Sequence, residues 1–238
     1  MSIKGIKRED LLSFLKNIKG DKTSYSIILY NLFPIIGVLY FDWDPIAVVF
    51  IYIAETIVIG VFNLFKIAIA KKDIKQADGS YKTAGHAEKL FMVVFFLIHY
   101  NAFNYGQITI ISSSLPGING LGGGVNYFIS YFTNNLSMQI GLGLIVIVNL
   151  YSFIHNYIGG KQYNIYSPLT LLFLPYGRIF LQQFVGIFGV FFVEFLSLPF
   201  FFLIILQVIK TIGELVSHLV IEGKIKGPIE LSAMDPNE

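Results

Sequence analysis

The chain has 238 residues, of which 55% are hydrophobic and only 13% are charged. Soluble domains contain about 25% charged residues, so this composition argues against disorder, nucleic-acid binding and a cytosolic enzyme fold. The net charge is only +2, and cysteine is absent, which excludes disulfides, thiol catalysis and cysteine-ligated metal centres. The partner that this composition predicts is the lipid bilayer.

The N-terminal segment 1–23 is charged and carries apolar residues at helical spacing, such as Leu11, Leu15 and Ile18. This pattern predicts a short amphipathic helix on the cytoplasmic surface of the membrane. The first apolar run follows a long charged segment and precedes no small-residue cleavage site. We therefore expect no cleaved signal peptide.

Six apolar runs follow, each close to the ~20 residues with which a helix crosses a bilayer. They cover residues 24–41, 45–70, 90–112, 138–157, 172–196 and 199–221. The last two form one apolar stretch, which we divide before Pro199 because proline readily begins a new helix. Residues 24–221 are therefore predicted to form an all-α, polytopic bundle of six transmembrane helices, followed by a cytoplasmic tail over 222–238.

Lysine and arginine provide an independent test of these spans. The connections 42–44, 113–137 and 197–198 contain neither residue, whereas the alternate connections and both termini hold nearly all of them. Short cytoplasmic loops keep basic residues and translocated loops lose them. Both termini are therefore predicted to be cytoplasmic, and Lys210 is the exception within a span.

The long outer connection 113–137 contains five glycines between residues 117 and 124, followed by an aromatic cluster that includes Tyr127, Phe128 and Tyr131. A phosphate-binding loop needs a lysine, which this segment lacks. We expect the glycines to form a flexible turn. The aromatic residues are expected to lie at the membrane interface or over the mouth of the bundle.

Ionisable side chains inside the spans are the strongest functional indication, because they are costly in lipid and usually face a partner or a wet cavity. Glu55, His99 and Lys210 are all predicted near the bilayer midplane. One stripe of the sixth span consists of Gln207, Lys210, Thr211, Glu214 and His218. Its spacing predicts that it faces the bundle interior and that Lys210 pairs with Glu214.

Four other spans also carry polar residues at helical spacing. They are Glu55, Thr56, Gly60 and Asn63 in the second span, Tyr100, Asn104 and Gln107 beside His99 in the third, Asn149, Ser152 and Asn156 beside His155 in the fourth, and Arg178, Gln182 and Gln183 in the fifth. We expect these faces to meet in a shared polar interior. A purely structural interpretation, in which the same groups only hold the bundle together, stays open.

The histidines allow a cofactor hypothesis. His155 and His218 lie near the inner ends of two spans, and two imidazoles are the minimal ligand set of a b-type haem. Zinc or another transition metal held by His155, His218 and Glu214 would need only nitrogen and oxygen ligands. The chain contains no H-E-x-x-H, G-x-S-x-G or Walker motif, so we expect no enzyme activity of its own.

Five fragments, in order along the spanning region, carry a resemblance to a known family. They are Asn31-Leu32-Phe33-Pro34, the stretch 52–60, Ile98-His99-Tyr100, Leu174-Pro175-Tyr176-Gly177-Arg178-Ile179, and Lys210-Thr211 followed by Glu214 and His218. They resemble a prokaryotic family of polytopic membrane proteins known only as a domain of unknown function. The resemblance implies the six-helix architecture and no particular reaction. It carries over Glu55, His99, Arg178, Lys210 and His218. The chain departs from the pattern at Ala54 and Gln182-Gln183, where relatives have an aromatic residue and a further histidine, which weighs against a multi-histidine site.

We therefore expect a multi-pass protein of the prokaryotic inner membrane that acts as a small proton-linked transport module. Its polar binding site is predicted to contain Glu55, His99, Arg178, Lys210, Glu214 and His218. One alternative is a redox subunit that binds haem b or a transition metal through His99, His155 and His218. Another is an accessory membrane subunit without chemistry of its own. A homo-oligomer or a partner membrane subunit is compatible with each of these.

Overall fold

The computed structural model describes residues 14–40, 45–76, 78–113, 118, 121–177, 179–180 and 199–221. These residues are mostly helical, which confirms the all-α class. The chain divides into two compact units. The first unit combines Met1–Trp43 with Leu203–Glu238, and the second comprises Asp44–Phe202.

The helices follow one another along the chain with short connections. Helices α1 to α7 are Lys22–Tyr40, Pro45–Ile69, His86–Ser113, Leu121–Thr133, Leu136–Ser152, Pro168–Phe173 and Pro199–Ile221. A π-helix, Phe153–Gly159, continues α5, and a 3-10 helix covers Gln162–Asn164. A small antiparallel hairpin, with strands β1 (Ile74–Lys75) and β2 (Tyr81–Lys82), occupies the connection between α2 and α3 that the sequence left as a charged loop.

The first unit contains the helical residues 14–18 and the helices α1 and α7. Asp21 caps α1, because its carboxylate accepts hydrogen bonds from the backbone N–H of Ser24 at 2.9 Å and from the Ser24 hydroxyl at 2.6 Å. In the predicted amphipathic segment, Leu15 is exposed and Ile18 is half-buried, while Leu11 lies outside the described residues.

The second unit is built around α2, which is in contact with α3, α5 and α6. One face of α2 is buried at three- and four-residue spacing; it consists of Val49, Ile53, Thr56, Gly60, Asn63 and Ile67. The absence of a side chain at Gly60 admits the ring of Tyr100 from α3, since a Cβ there would lie 2.5 Å from the Tyr100 Cε1. The predicted inward face of the second span is confirmed for Thr56, Gly60 and Asn63.

The outer connection differs from its prediction. Gly122, Gly123 and Gly124 belong to the helix α4, so the prediction of a flexible turn is wrong over these residues. The reason is packing: a Cβ on Gly124 would lie 3.0 Å from Ser112 and 3.3 Å from the backbone of Thr109, so α3 and α4 meet at glycine. The glycines at 117 and 120 lie outside the described residues.

The aromatic residues of α4 cover one end of α2. The buried ring of Phe50 meets Tyr127, Phe128 and Tyr131 edge-on, with centroid separations of 6.0, 5.1 and 5.3 Å. Edge-to-face pairs at such separations add to the stabilisation from burial alone. The prediction that this aromatic cluster lies over the end of the helices is confirmed for α2.

Two stretches of the described chain, Ile46–Ile69 and Leu136–Gly159, are long and apolar enough to cross a membrane. In the first, 56% of the apolar window is buried within the protein; in the second, only 11% is buried. The second stretch is α5 with its π-helical continuation. It therefore presents an apolar surface to its surroundings, as the exposure of Leu144, Ile147 and Val148 illustrates.

Candidate functional site

A polar cluster joins α1 and α7 within the first unit. The Asn31 amide Nδ2 donates a hydrogen bond to a Glu214 carboxylate oxygen at 2.7 Å and to the backbone carbonyl of Ile27 at 2.9 Å. The Gln207 amide lies 3.4 Å from the Asn31 Oδ1, to which it donates. Asn31 and Gln207 are 1% and 2% exposed, so amide groups on two apolar helices satisfy one another away from solvent.

Lys210 completes this cluster. Its ammonium Nζ lies 3.7 Å from the second carboxylate oxygen of Glu214, and the two side chains are 6% and 25% exposed. The pair is the i,i+4 pair that the sixth-span stripe predicted, and Gln207 and Lys210 are buried as that stripe requires. Glu214 therefore holds a neutral donor on one oxygen and a cation near the other. Removing a partner from a buried pair of this kind is strongly destabilising.

A row of buried polar residues marks the second unit. Tyr100, Asn104 and Gln107 share the buried face of α3, as predicted. Tyr100 donates its hydroxyl hydrogen to the Thr56 carbonyl at 3.0 Å, and Asn63 donates to the Leu171 carbonyl at 2.8 Å. These bonds tie α2 to α3 and α6. In this row, the residues with cross-helix bonds serve the packing of the helices.

His99 and Glu55 lie at the margins of the buried faces. Glu55 is half-buried on α2, and His99 is exposed on α3, which differs from its predicted inward position. Neighbouring residues on a helix are separated by a large rotation, and Tyr100 occupies the buried side. The His99 Nδ1 lies 2.8 Å from the Tyr176 hydroxyl, and its ring stacks on Phe95 with centroids 5.0 Å apart.

Comparison with known families places the chain. Residues 15–228 match a family model described as "Family of unknown function (DUF6498)". The chain belongs to this family. The resemblance found in the sequence is thereby confirmed as membership of an uncharacterised family. No curated protein matches this DUF6498 chain, and no solved structure matches it.

The remaining predicted site residues of this DUF6498 chain fall partly outside the described residues. This applies to Arg178 and to the side chain of His218 on α7. His155 is exposed on the π-helix. Among the residues that the structure describes, no three histidine, aspartate or glutamate side chains come together to hold a metal ion. The haem or metal site of His99, His155 and His218 stays a prediction, as does the convergence of all polar faces on one centre.

Sequence reasoning missed two partners in this site. Asn31 was quoted only as part of a family fragment, and Tyr176 only as an interfacial aromatic residue. A buried amide in an apolar span was the available signal for Asn31. No local pattern indicates that Tyr176 bonds His99, since the two residues are 77 positions apart.

Proposed function

We propose that the protein is a six-span integral protein of the prokaryotic inner membrane, with both termini cytoplasmic, that acts as a small proton-linked transport module. The observation that carries this proposal is the buried cluster of Asn31, Gln207, Lys210 and Glu214. Ionisable groups inside membrane spans are costly and mark ion pathways and proton relays.

The apolar surface supports the membrane part of the proposal. On α5, Leu144, Ile147 and Val148 are 58%, 62% and 63% exposed. An apolar helix face of this kind would be an association hazard in water, whereas lipid tails match it. The described part of the chain also carries two stretches long enough to span a bilayer.

The topology can be tested directly, because the chain contains no cysteine and an introduced one is the sole labelling site. Lys75→Cys lies in the hairpin, which we place inside, and Asn134→Cys lies between α4 and α5, which we place outside. A membrane-impermeant maleimide should label only Asn134→Cys in right-side-out spheroplasts and both variants after lysis. Equal labelling before lysis would contradict the proposed orientation.

Glu214 is the proton-carrying group in this proposal. One of its oxygens accepts from Asn31 and the other lies 3.7 Å from the Lys210 ammonium. Adding a proton to Glu214 would remove the anion that faces Lys210. Proton binding would thereby weaken the attraction that holds the pair together, which couples protonation to a rearrangement of the two helices.

Proton movement is measured in vesicles that contain the purified protein and an entrapped pH-sensitive dye, with a potential imposed by potassium and valinomycin. The wild type should admit protons faster than protein-free vesicles, and Glu214→Gln should reduce the rate to the protein-free level. Glu88→Gln, which changes an exposed carboxylate at the start of α3, is the matched control and should leave the rate unchanged. Equal rates for both variants would mean that the cluster serves packing alone.

A further inference from the structure

An open groove of about 880 Å³ runs along α5 and its π-helical continuation. Its walls are apolar at one end, at Ile147, Leu150 and Ile154, and polar at the other, at His155, Asn156 and Gln162. The volume lies in the range of ~300–1,000 Å³ that small-molecule sites occupy. A groove with this order of polarity matches a molecule with an apolar tail and a polar head.

The polar end is built by an unusual backbone. A π-helix is rare and is frequently found at functional sites. Here it places the His155 ring on Tyr151, with centroids 5.2 Å apart and planes 13° from parallel, and the His155 Nδ1 3.1 Å from the Asn156 Oδ1. Gly160 closes this turn, because a Cβ there would lie 2.4 Å from the Asn156 carbonyl oxygen.

Cations flank the polar end. Lys161 adopts a left-handed backbone conformation, with φ 52°, that residues other than glycine rarely adopt, and its side chain is exposed. The ammonium of Lys71 lies 5.1 Å from the centre of the Tyr163 ring, and the Lys71 N–H donates to the Tyr163 carbonyl at 2.7 Å. Two lysines that the positive-inside pattern assigns to the cytoplasmic side thus border the same short segment.

The nearby basic residues Lys82 and Lys89 have other roles. Lys82 pairs with Glu88, and Lys89 donates to the Ala70 carbonyl at 2.6 Å. Lys161 is therefore the cation best placed to act on a ligand head in this groove, since it directly follows the lining residue Gly160.

We propose that this groove binds an anionic glycerophospholipid of the inner leaflet. The acyl chain lies along Ile147, Leu150 and Ile154, and the phosphate lies at the polar end, where Lys161 supplies positive charge and Asn156 and Gln162 supply amide donors. Basic residues at the cytoplasmic surface attract anionic lipid heads, and an apolar wall next to them holds the chain. This inference goes beyond proton handling and rests only on the membrane part of the proposed function.

The test is native mass spectrometry of the purified full chain in detergent, with phosphatidylglycerol and phosphatidylcholine of identical acyl chains. The wild type should retain one phosphatidylglycerol in preference to phosphatidylcholine. Lys161→Gln should weaken phosphatidylglycerol binding about fivefold, the effect of one lysine near a lipid surface. The control Lys75→Gln, which removes an exposed hairpin lysine, should leave binding unchanged.

Two further measurements separate the head from the tail. Ile147→Asn should weaken the retention of both lipids, with helicity checked by circular dichroism, and glycerol 3-phosphate should not displace phosphatidylglycerol. Equal retention of the two lipids, equal losses in Lys161→Gln and Lys75→Gln, or displacement by glycerol 3-phosphate would each overturn the inference. Glu214→Gln should retain the lipid normally, so a failure of the proton hypothesis leaves this result intact. A chain that stayed soluble without detergent would instead overturn the membrane proposal itself.

Discussion

The contact between Gly60 and Tyr100 gives a sharp prediction about the core of the second unit. Replacing Gly60 with alanine would place a methyl carbon 2.5 Å from the Tyr100 Cε1 and 2.9 Å from its Cδ1. Real side chains do not approach so closely, so the ring must move. The ring is 1% exposed, stacks on Phe96 with centroids 4.6 Å apart, and is held by its hydrogen bond to the Thr56 carbonyl.

The cost of Gly60→Ala follows from these contacts. Forcing an extra methyl group into a packed core costs about 1–3 kcal/mol. Displacing the Tyr100 hydroxyl from the Thr56 carbonyl adds about 1 kcal/mol for the lost hydrogen bond. Alanine favours a helix over glycine by up to ~1 kcal/mol, which offsets part of the loss. We expect a net loss of about 1–3 kcal/mol in the free energy of unfolding.

Thermal unfolding in detergent, followed by circular dichroism, measures this loss. The matched control is Gly106→Ala on α3, where a Cβ would meet nothing within 4 Å, and it should be neutral or stabilising. The double variant Gly60→Ala with Tyr100→Ala should lose less stability than the sum of the two single variants, because the clash is then absent. Equal melting temperatures for Gly60→Ala and Gly106→Ala would refute the reasoning.

Three other predictions concern single side chains. Asn63→Leu should lose about 1–3 kcal/mol of stability, because it leaves the buried Leu171 carbonyl without its donor, and the same melting experiment would contradict this if the loss did not exceed that of Asn149→Leu, whose amide bonds only its own helix. The hydrogen bond from Lys82, followed by that from the Gly85 N–H, holds the pKa of Glu88 below its usual 4.5, so this carboxylate should stabilise the start of α3 above pH 4.5 and lose that effect as the pH falls through its lowered pKa. Glu88→Gln should therefore speed hydrogen exchange at residues 85–89 at neutral pH, and unchanged exchange would count against this role. Asn31→Ala should destabilise the first unit more than Asn101→Ala, an exposed amide bonded within its own helix, and similar melting of these two variants would contradict a structural role for the Asn31 bond to Glu214.

The helix faces were predictable because periodicity is a local property. The repeat of polar residues at 100, 104 and 107 identified the buried side of α3, and the repeat at 56, 60 and 63 identified that of α2. His99 could not be assigned in the same way, since its neighbour Tyr100 defines the buried side and a helix turns by about 100° per residue. A prediction for a residue at the edge of a face therefore fails more readily than one for its centre.

The glycines of α4 show where local reasoning fails. Glycine costs up to about 1 kcal/mol in a helix, so a run of three favours a turn when only the local sequence is considered. In the folded chain, Gly124 lies against Ser112, and the following aromatic residues surround Phe50. Packing energy between helices exceeds the local cost, and Phe50 is distant in sequence, so the sequence alone could not supply it.

The same limit explains how much of the polar cluster was predictable. The pair of Lys210 and Glu214 is an i,i+4 relation that spacing reveals, whereas Asn31 is 183 positions from Glu214 and can also bond the carbonyl of Ile27 on its own helix. A lone asparagine in an apolar helix thus has a local partner available, and its long-range partner leaves no pattern. The long-range bond alters the chemistry of the cluster. Because Asn31 is a neutral donor on one oxygen of Glu214, the orientation of this carboxylate does not depend on Lys210 alone. The carboxylate can therefore keep its position while its charge, and hence its attraction to the lysine, changes with protonation.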